Sequence, residues 1–166
     1  MTPDASAGCE VPAAPGQRQL WLVQQLAPRS SAYHMPFALE LDGALELGAL
    51  RTALQGVVDR HEALRTRFVE RDGTLFQVID AAQAVDFSSR EVTGADALHR
   101  ESLRLAEAPF DLSAGPLLRC TLLRHAPDRA RLVVVFHHLV ADGWSLDVFA
   151  AELVAAYRAA LAGTAW

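Results

Sequence analysis

The sequence predicts an α+β fold, an α/β sandwich in which helices cover a mixed sheet. Short runs of apolar and β-branched residues, typical of strands, alternate along the chain with segments whose apolar residues recur at helical spacing. Hydrophobic residues make up 51% of the 166 residues and charged residues 21%, a balance typical of globular domains. We find no internal repeat and no internal linker, so we expect one folded unit.

The first half of the chain is predicted to hold two helices and three strands after an irregular start. Residues 1–12 are expected to be a disordered lead-in, because residues 1–15 hold three Pro and four Ala. A strand should end at Asp42-Gly43, and Arg71–Thr74 has the composition of a hairpin turn between two further strands. Apolar spacing predicts the elements as helix Gln17–Leu26, strand Phe37–Leu41, helix Leu47–Leu64, strand Thr66–Val69 and strand Leu75–Ile79.

The second half continues the alternation and ends in a helix. Residues 95–107 favour a helix that stops before Pro109, because proline disfavours helical backbone at the residue before it. Three strands are predicted around this helix, a weak one at Val85–Phe87 and two stronger ones at Leu117–Leu123 and Leu132–Phe136. After Ser145 a last helix carries one apolar stripe, formed by Leu146, Phe149, Leu153, Tyr157 and Leu161.

Composition excludes several classes of function. The net charge of −5 argues against a nucleic-acid or anionic membrane partner, since both require a basic surface. All 15 basic residues are Arg, so chemistry centred on lysine is absent, and the lack of Lys and Asn is typical of a GC-rich bacterial genome. No apolar run is long enough to span a membrane and no secretory signal begins the chain, so a cytoplasmic location is expected.

The two cysteines are too few and too far apart for a framework of disulfides. Cys9 and Cys120 form no CxxC pair, which also argues against a cysteine-ligated zinc site. Cys120 lies in a predicted strand between Leu118 and Leu122, and we expect it to act as a small core residue on their face.

Two adjacent histidines stand where a buried strand gives way to a helix. His137 and His138 directly follow the apolar run Leu132–Phe136. Such junctions often carry functional residues, because a rigid strand fixes the direction of its side chains. Successive side chains of an extended chain point to opposite faces, so we expect only one of the two histidines to face a substrate.

The residues after this strand allow a functional and a structural interpretation. In the first, one histidine acts as a general base and Asp142 holds the turn or a partner, because imidazole accepts protons near neutral pH. In the second, the histidines are ordinary strand-end residues, and Asp142 and Asp147 complement the dipole of the following helix. Spacing alone does not choose between them.

Two further chemistries are disfavoured at the same place. Neighbouring histidines on a strand cannot easily ligate one ion, so a metal site at His137, His138 and Asp142 is not expected. Ser145 follows a glycine as in a nucleophile elbow, but Asp147 occupies the position of the second glycine. Ser145 is therefore expected to be an N-cap or first-turn residue of the helix.

Three arginines close the second predicted helix, within Arg60–Phe68. They could form a solvated helix end, where the dipole favours positive charge. Alternatively, one of them could pair with Asp142, and breaking such a buried pair would cost about 3–5 kcal/mol. The remaining histidines are predicted at the surface or in turns: His34, His99 and His125.

Four segments resemble signature segments of a known family, and they occur along the chain in the same order as in that family. Arg60–Phe68 has the pattern RHExLRTxF without a mismatch, and His137–Gly143 has the pattern HHxxxDG. Pro109–Arg119 has the pattern PFDLxxGPLLR, and Pro15–Leu22 is similar to SxAQxRLWxL, with Ala14 in place of Ser and Gln19 in place of Arg. Together they resemble the signature segments of nonribosomal peptide synthetase condensation domains, over nearly everything after residue 12.

The resemblance implies a fold and a set of residue roles. Members of this family contain two chloramphenicol-acetyltransferase-like lobes, so residues 13–166 are expected to form the N-terminal lobe, with the C-terminal lobe absent from this chain. His138 is implied as the catalytic histidine, which either takes the proton of an amine or orients that amine and steadies the tetrahedral intermediate. His137 and Asp142 are implied as structural, and Gly143 as a residue that leaves room at the reacting centre. Asp142 is expected to pair with one of two arginines, Arg60 or Arg65.

The resemblance also implies an activity and partners. The whole domain would form an amide bond between an acyl or peptidyl thioester and an aminoacyl amine, both held on phosphopantetheine arms of carrier proteins, with no cofactor bound directly. The expected partners are donor and acceptor peptidyl carrier proteins, the second lobe and an adenylation domain. The lobe alone is expected to be inactive and to self-associate through an exposed apolar face. The alternatives are a non-catalytic recruitment lobe, and an epimerisation or chain-starting acylation sibling.

Overall fold

The computed structural model describes residues 8–166, and within them four α-helices flank two β-sheets. A 3₁₀ turn, Glu62–Arg65, follows the second helix. In chain order the elements are β1 Cys9–Pro12, α1 Pro15–Leu26, β2 His34–Asp42, α2 Leu47–Arg60, β3 Thr66–Arg71, β4 Thr74–Ile79, β5 Asp86–Glu91, α3 Ala95–Glu107, β6 Leu118–Ala126, β7 Arg129–His137 and α4 Gly143–Ala162.

The larger sheet has the strand order β2-β7-β6-β5. Strand β7 pairs antiparallel with β2 on one side and with β6 on the other, whereas β5 runs parallel to β6. The sheet is therefore mixed, and β7 lies at its interior. An interior strand covered on both faces needs apolar residues at successive positions, which explains the unbroken run from Leu132 to Phe136.

Alternate residues of β7 belong to different apolar clusters. Leu132, Val134 and Phe136 lie in a cluster with the apolar faces of α2 and α4. Val133 and Val135 lie in a second cluster on the other face, which includes residues of α3, β3 and β4. Because side chains alternate along a strand, one short segment joins both cores and fixes the position of the turn that follows it.

The smaller sheet is antiparallel, with the order β1-β4-β3. Strand β1 contradicts the predicted lead-in, because Cys9–Pro12 pairs with β4 rather than being disordered. Residues 1–7 of that lead-in lie outside the described residues. The four residues of β1 are mostly exposed and gain order from backbone pairing with β4, an interaction that hydrophobic patterning does not reveal.

The predicted α+β class, with helices covering a mixed sheet, is confirmed, and the second sheet adds to it. The largest shifts in element bounds concern α2, which ends at Arg60 instead of Leu64, and β5, which extends to Glu91. His34 was predicted at the surface or in a turn and is instead buried as the first residue of β2. Cys120 is buried beside Leu118 and Leu122, as predicted.

Candidate active site

The turn between β7 and α4 is held at several points. The amide of His138 donates to the carbonyl of Tyr33, just before β2, at 2.9 Å, and that of Val140 donates to the carbonyl of His137 at 3.0 Å. The side chain of Gln17 on α1 donates to the carbonyl of Leu139 at 3.2 Å. Helix α1 and the segment just before β2 therefore fix the backbone around the paired histidines.

His138 is exposed, and it lines an open depression of about 270 Å³ together with residues 139–142 and Ser145. Its Nδ1 lies 2.8 Å from the carbonyl oxygen of Ala141. A carbonyl can only accept, so Nδ1 of the neutral ring carries the proton and donates it. Nε2 of His138 is then left as the acceptor, which is the protonation state required of a base.

His137 has the opposite environment, because its side chain is fully buried. Its Nδ1 accepts a hydrogen bond from the amide of Leu139 at 3.1 Å. Burial, together with repulsion from His34 and His138, lowers the pKa of His137 to about 4, so the ring is neutral at physiological pH. The two adjacent rings therefore differ in environment, with His138 exposed and His137 buried, and which of them faces a substrate stays a prediction.

Asp142 caps helix α4. Its Oδ1 accepts hydrogen bonds from the amide and the hydroxyl of Ser145 at 2.9 and 2.7 Å, and the Ser145 hydroxyl accepts from the Asp142 amide at 3.1 Å. These bonds from Ser145 lower the pKa of Asp142, since they favour the carboxylate. Ser145 lies in the first turn of α4, as predicted, and Gly143 begins the helix with open space beside it.

The predicted pairing of Asp142 with Arg60 or Arg65 is wrong. Within residues 8–166, Asp142 makes no ion pair, because Ser145 supplies donors within the same turn at no cost in chain ordering. Arg60 instead forms a salt bridge with Glu152 on α4, with 3.3 Å between Nε and Oε1. Arg65 donates to three backbone carbonyls, those of Asp59, Asp80 and Ala81.

Glu152 was not anticipated from the sequence. It also contacts His61, with 2.5 Å between Nε2 and Oε2, so it joins the end of α2 to the middle of α4. The guanidinium of Arg60 lies over the ring of Trp166, 5.1 Å from its centre. The arginine-rich segment therefore positions α4, and α4 in turn begins at the turn that carries His138.

An apolar cleft of about 150 Å³ adjoins the open depression at His138. The two share Val140, Ala141 and Ser145. The side chain of Trp144 lines the cleft and is 77% exposed. An exposed indole beside a cleft offers apolar contact area to a ligand or to a neighbouring surface.

In the described part of the chain, no group of three or more histidine, cysteine or acidic side chains is arranged to hold a metal ion. Within the same residues, no helix combines the length and the hydropathy needed to cross a membrane. The turn presents an exposed imidazole whose Nδ1 is hydrogen-bonded to a carbonyl, beside an apolar cleft.

The fold defines a chloramphenicol-acetyltransferase-like lobe of α+β class, as solved structures of the same fold show. The starter condensation domain of rhizomide synthetase superposes with a TM-score of 0.87 at 27% identity, over 95% of this chain and 39% of that chain. The X-domain solved in complex with OxyB from teicoplanin biosynthesis gives a TM-score of 0.88 at 34% identity, over 98% of this chain and 36% of that chain.

Sequence comparison identifies the family. The model of the condensation domain family matches residues 9–165. Chondramide synthase of Chondromyces crocatus is 42% identical over 156 residues, 90% of this chain and 4% of that protein. Cyclosporin synthetase of Tolypocladium inflatum is 41% identical over 138 residues, 82% of this chain and 1% of that protein. The chain belongs to the condensation domain family.

The chain spans only a few per cent of the length of these synthetases. Relatives of similar identity include a fungal protein as well as bacterial ones, so the family does not restrict the source, and the bacterial origin stays a prediction.

Proposed function

We propose that the chain is the N-terminal lobe of a domain that forms amide bonds in nonribosomal peptide synthesis. The donor is an acyl or peptidyl thioester and the acceptor an aminoacyl amine, each carried on the phosphopantetheine arm of a carrier protein. The observation that carries the proposal is the state of His138, which is exposed in an open depression with its proton held on Nδ1 by the Ala141 carbonyl.

In the proposed reaction the acceptor amine attacks the thioester carbonyl. The new C–N bond forms as the C–S bond breaks, the amine proton passes to Nε2 of His138, and the thiolate leaves on the donor arm. A positioned general base typically contributes about 10²–10⁴-fold to the rate. Alignment of two tethered substrates contributes more, since effective molarities reach about 10⁵ M and above.

Two substitutions of His138 in the intact synthetase test this role. Because alanine removes the base, we expect His138→Ala to lower the rate of amide formation by about 10²-fold or more. His138→Gln keeps a hydrogen-bonding group but cannot transfer a proton, so it should lose as much as alanine if proton transfer matters. If glutamine retains most of the rate, His138 orients the amine instead.

The exposed His99 on α3 provides the matched control for these variants, and His99→Gln should leave the rate unchanged. Unchanged amide formation in His138→Ala would contradict a catalytic role.

The lobe by itself is proposed to be inactive. The depression at His138 is open, so this chain alone neither encloses the reacting groups nor excludes water from them. We expect no amide product when the chain is mixed with loaded donor and acceptor carrier proteins. The synthetase that contains it serves as the positive control, and turnover by the chain alone would contradict the need for a second wall.

Siblings of the family that perform epimerisation or chain-starting acylation remain alternatives for the reaction type. The match to a starter condensation domain favours a test with two donors. A chain-starting domain should accept a fatty acyl thioester, whereas a domain that elongates should require an aminoacyl or peptidyl carrier protein. Inversion of the donor α-carbon without amide formation would indicate epimerisation.

A second function is recruitment of another protein. The observation in its favour is the X-domain, solved in complex with OxyB and 34% identical to this chain. The intact His138, Asp142 and Gly143 favour catalysis instead. A His138→Ala synthetase that retains full product formation but whose product changes when α1 or α4 surface residues are altered would favour recruitment.

A further inference from the structure

Two buried histidines lie side by side behind the active-site turn. His34 begins β2 and His137 ends β7, and the two are direct partners across the antiparallel pair. Only 9% of His34 and none of His137 is exposed. Both rings meet Phe110 edge to face, and the guanidinium of Arg119 lies 3.9 Å from the centre of that phenyl ring.

The hydrogen bonds of the two rings fix opposite tautomers. Nδ1 of His34 lies 2.8 Å from the carbonyl oxygen of Ala106, and a carbonyl can only accept, so Nδ1 of His34 carries the proton. Nδ1 of His137 faces the amide of Leu139, which can only donate, so this nitrogen carries no proton. Burial lowers the pKa of both histidines, which keeps the rings neutral.

Each ring therefore has one Nε2 atom left over, an acceptor on His34 and an N–H donor on His137. Both Nε2 atoms are buried without a hydrogen-bond partner among the described residues. Buried polar atoms without a partner are rare and costly, and two of complementary type in neighbouring rings call for a common partner. The ring centres are 6.0 Å apart. Each Nε2 atom lies close to its own ring centre. The distance between the two Nε2 atoms therefore exceeds that of a direct hydrogen bond, about 2.7–3.2 Å.

We propose that His34 and His137 bind one buried water molecule between their Nε2 atoms, and that His34 is thereby a positioning residue for the active-site turn. The water accepts from Nε2–H of His137 and donates to Nε2 of His34. A continuous chain of hydrogen bonds then runs from the Ala106 carbonyl through His34, the water and His137 to the amide of Leu139.

This series of hydrogen bonds ties the active-site turn to the end of helix α3, where Ala106 lies. It holds the tautomer of His137 that accepts from Leu139, the residue next to His138. Loss of that bond would free the backbone that aims His138. The effect on catalysis rests on the proposed function, whereas the water and the tautomers do not.

Imidazole nitrogen NMR of this chain, labelled with ¹⁵N-histidine, tests the tautomers without any turnover. The expected spectrum has the proton of His34 on Nδ1 and that of His137 on Nε2. A high-resolution crystal structure should show one ordered water within hydrogen-bonding distance of both Nε2 atoms. A proton on Nδ1 of His137, or a direct contact between the two rings without water, would overturn the proposal.

Two substitutions of His34 separate positioning from packing. His34→Phe keeps an aromatic ring but removes the acceptor, and His34→Gln keeps a side-chain acceptor. In the intact synthetase we expect His34→Phe to lower kcat roughly tenfold with KM unchanged, because a small misplacement of the reacting group lowers the rate steeply. His34→Gln should restore most of kcat and keep the proton of His137 on Nε2.

Equal losses of kcat in both variants would overturn the role of His34, since only glutamine keeps a side-chain acceptor there. If the wild-type tautomers and the water are found but no synthetase activity forms amide bonds, the water site stands and the proposed function fails. The two hypotheses are therefore tested separately.

Discussion

At the scale of single residues, burial separates two identical and adjacent side chains. His138 lines an open depression, whereas His137 is enclosed between β2 and the Phe110 ring. Moving an imidazolium out of water is costly, so the buried ring of His137 is held neutral. One of the pair therefore contributes to the packing behind the turn, while the other presents its imidazole at the surface.

The depressed pKa of His137 predicts a loss of stability in mild acid. The pKa is about 4 in the folded chain, against an ordinary value of 6.5. As pH falls from 6.5 to 4, the unfolded chain binds a proton that the folded chain does not, so stability falls by up to roughly 1.4 kcal/mol per pH unit. Below pH 4 this contribution levels off. Urea unfolding at a series of pH values measures it.

His137→Asn is the comparison that isolates this effect, because asparagine keeps an acceptor for the Leu139 amide and does not titrate. Its unfolding free energy should decline less steeply between pH 6.5 and 4 than that of the wild type. His34 also has a lowered pKa, caused mainly by burial, and it is present in both proteins. Identical slopes in the two proteins would contradict a depressed pKa of His137.

Asp142 yields a second prediction at this scale, on helix capping. Asp142→Ala removes the acceptor of two hydrogen bonds from Ser145 and should lower the urea midpoint of unfolding. Asp142→Asn should recover most of the loss, because asparagine caps helices about as well as aspartate. If Asn were as damaging as Ala, a charge interaction, and not the cap, would explain the position.

The site residues were predictable only where the signal was local. Alternation along a strand was enough to predict that His137 and His138 differ in environment. The partner of Asp142 was assigned wrongly, because the resemblance favoured an arginine over the local alternative, in which Ser145, three residues away, supplies the hydrogen-bond donors. His34 was misplaced for a related reason: its burial arises from pairing with a strand about a hundred residues later in the chain.

At the scale of elements, Glu152 connects the end of α2 to α4. Its carboxylate contacts both Arg60 and His61. We expect a double-mutant cycle of Arg60→Ala and Glu152→Ala to give a coupling of about 0.2–1 kcal/mol, since Arg60 is largely exposed and solvent screens the pair. Urea unfolding of the four proteins measures it.

A second double-mutant cycle serves as the matched control, and it combines Arg60→Ala with Asp142→Ala instead of Glu152→Ala. Because Asp142 makes no ion pair with Arg60 in the structure, the effects of these two substitutions should add within about 0.3–0.5 kcal/mol. Larger coupling of Arg60 with Asp142 than with Glu152 would reverse the assignment of partners.

Elements with a strong apolar period were predictable, and the others were not. Helix α3 was predicted at residues 95–107, the bounds that it has in the structure, because propensity and the proline at 109 both mark its end. Strand β1 was missed because its residues are mostly exposed and depend on pairing with β4. The end of α2 was placed too late because a 3₁₀ turn continues the helical spacing as far as Arg65.

At the scale of the molecule, the apolar surface is distributed unevenly. Eight large hydrophobic side chains in the described residues are substantially exposed, and three of them lie close together on α1. These three, which we term the α1 patch, are Leu22, Val23 and Leu26. Single exposed apolar residues are ordinary on protein surfaces, but clustered ones favour contact with another surface.

The α1 patch predicts that this chain associates with itself in dilute buffer. Leu26 is the most exposed of the three side chains, at 87%. Leu26→Glu should therefore reduce association by placing a charge within the patch. The matched control is Leu103→Glu on α3, a side chain that is 48% exposed and outside the patch. Light scattering over a range of concentrations should give a rising mass for the wild type and for the control, and a constant mass for Leu26→Glu. A wild type that is monomeric at all concentrations would show that the α1 patch is too small to drive association. If both variants reduced association equally, the cause would be the added net charge and not the loss of the patch.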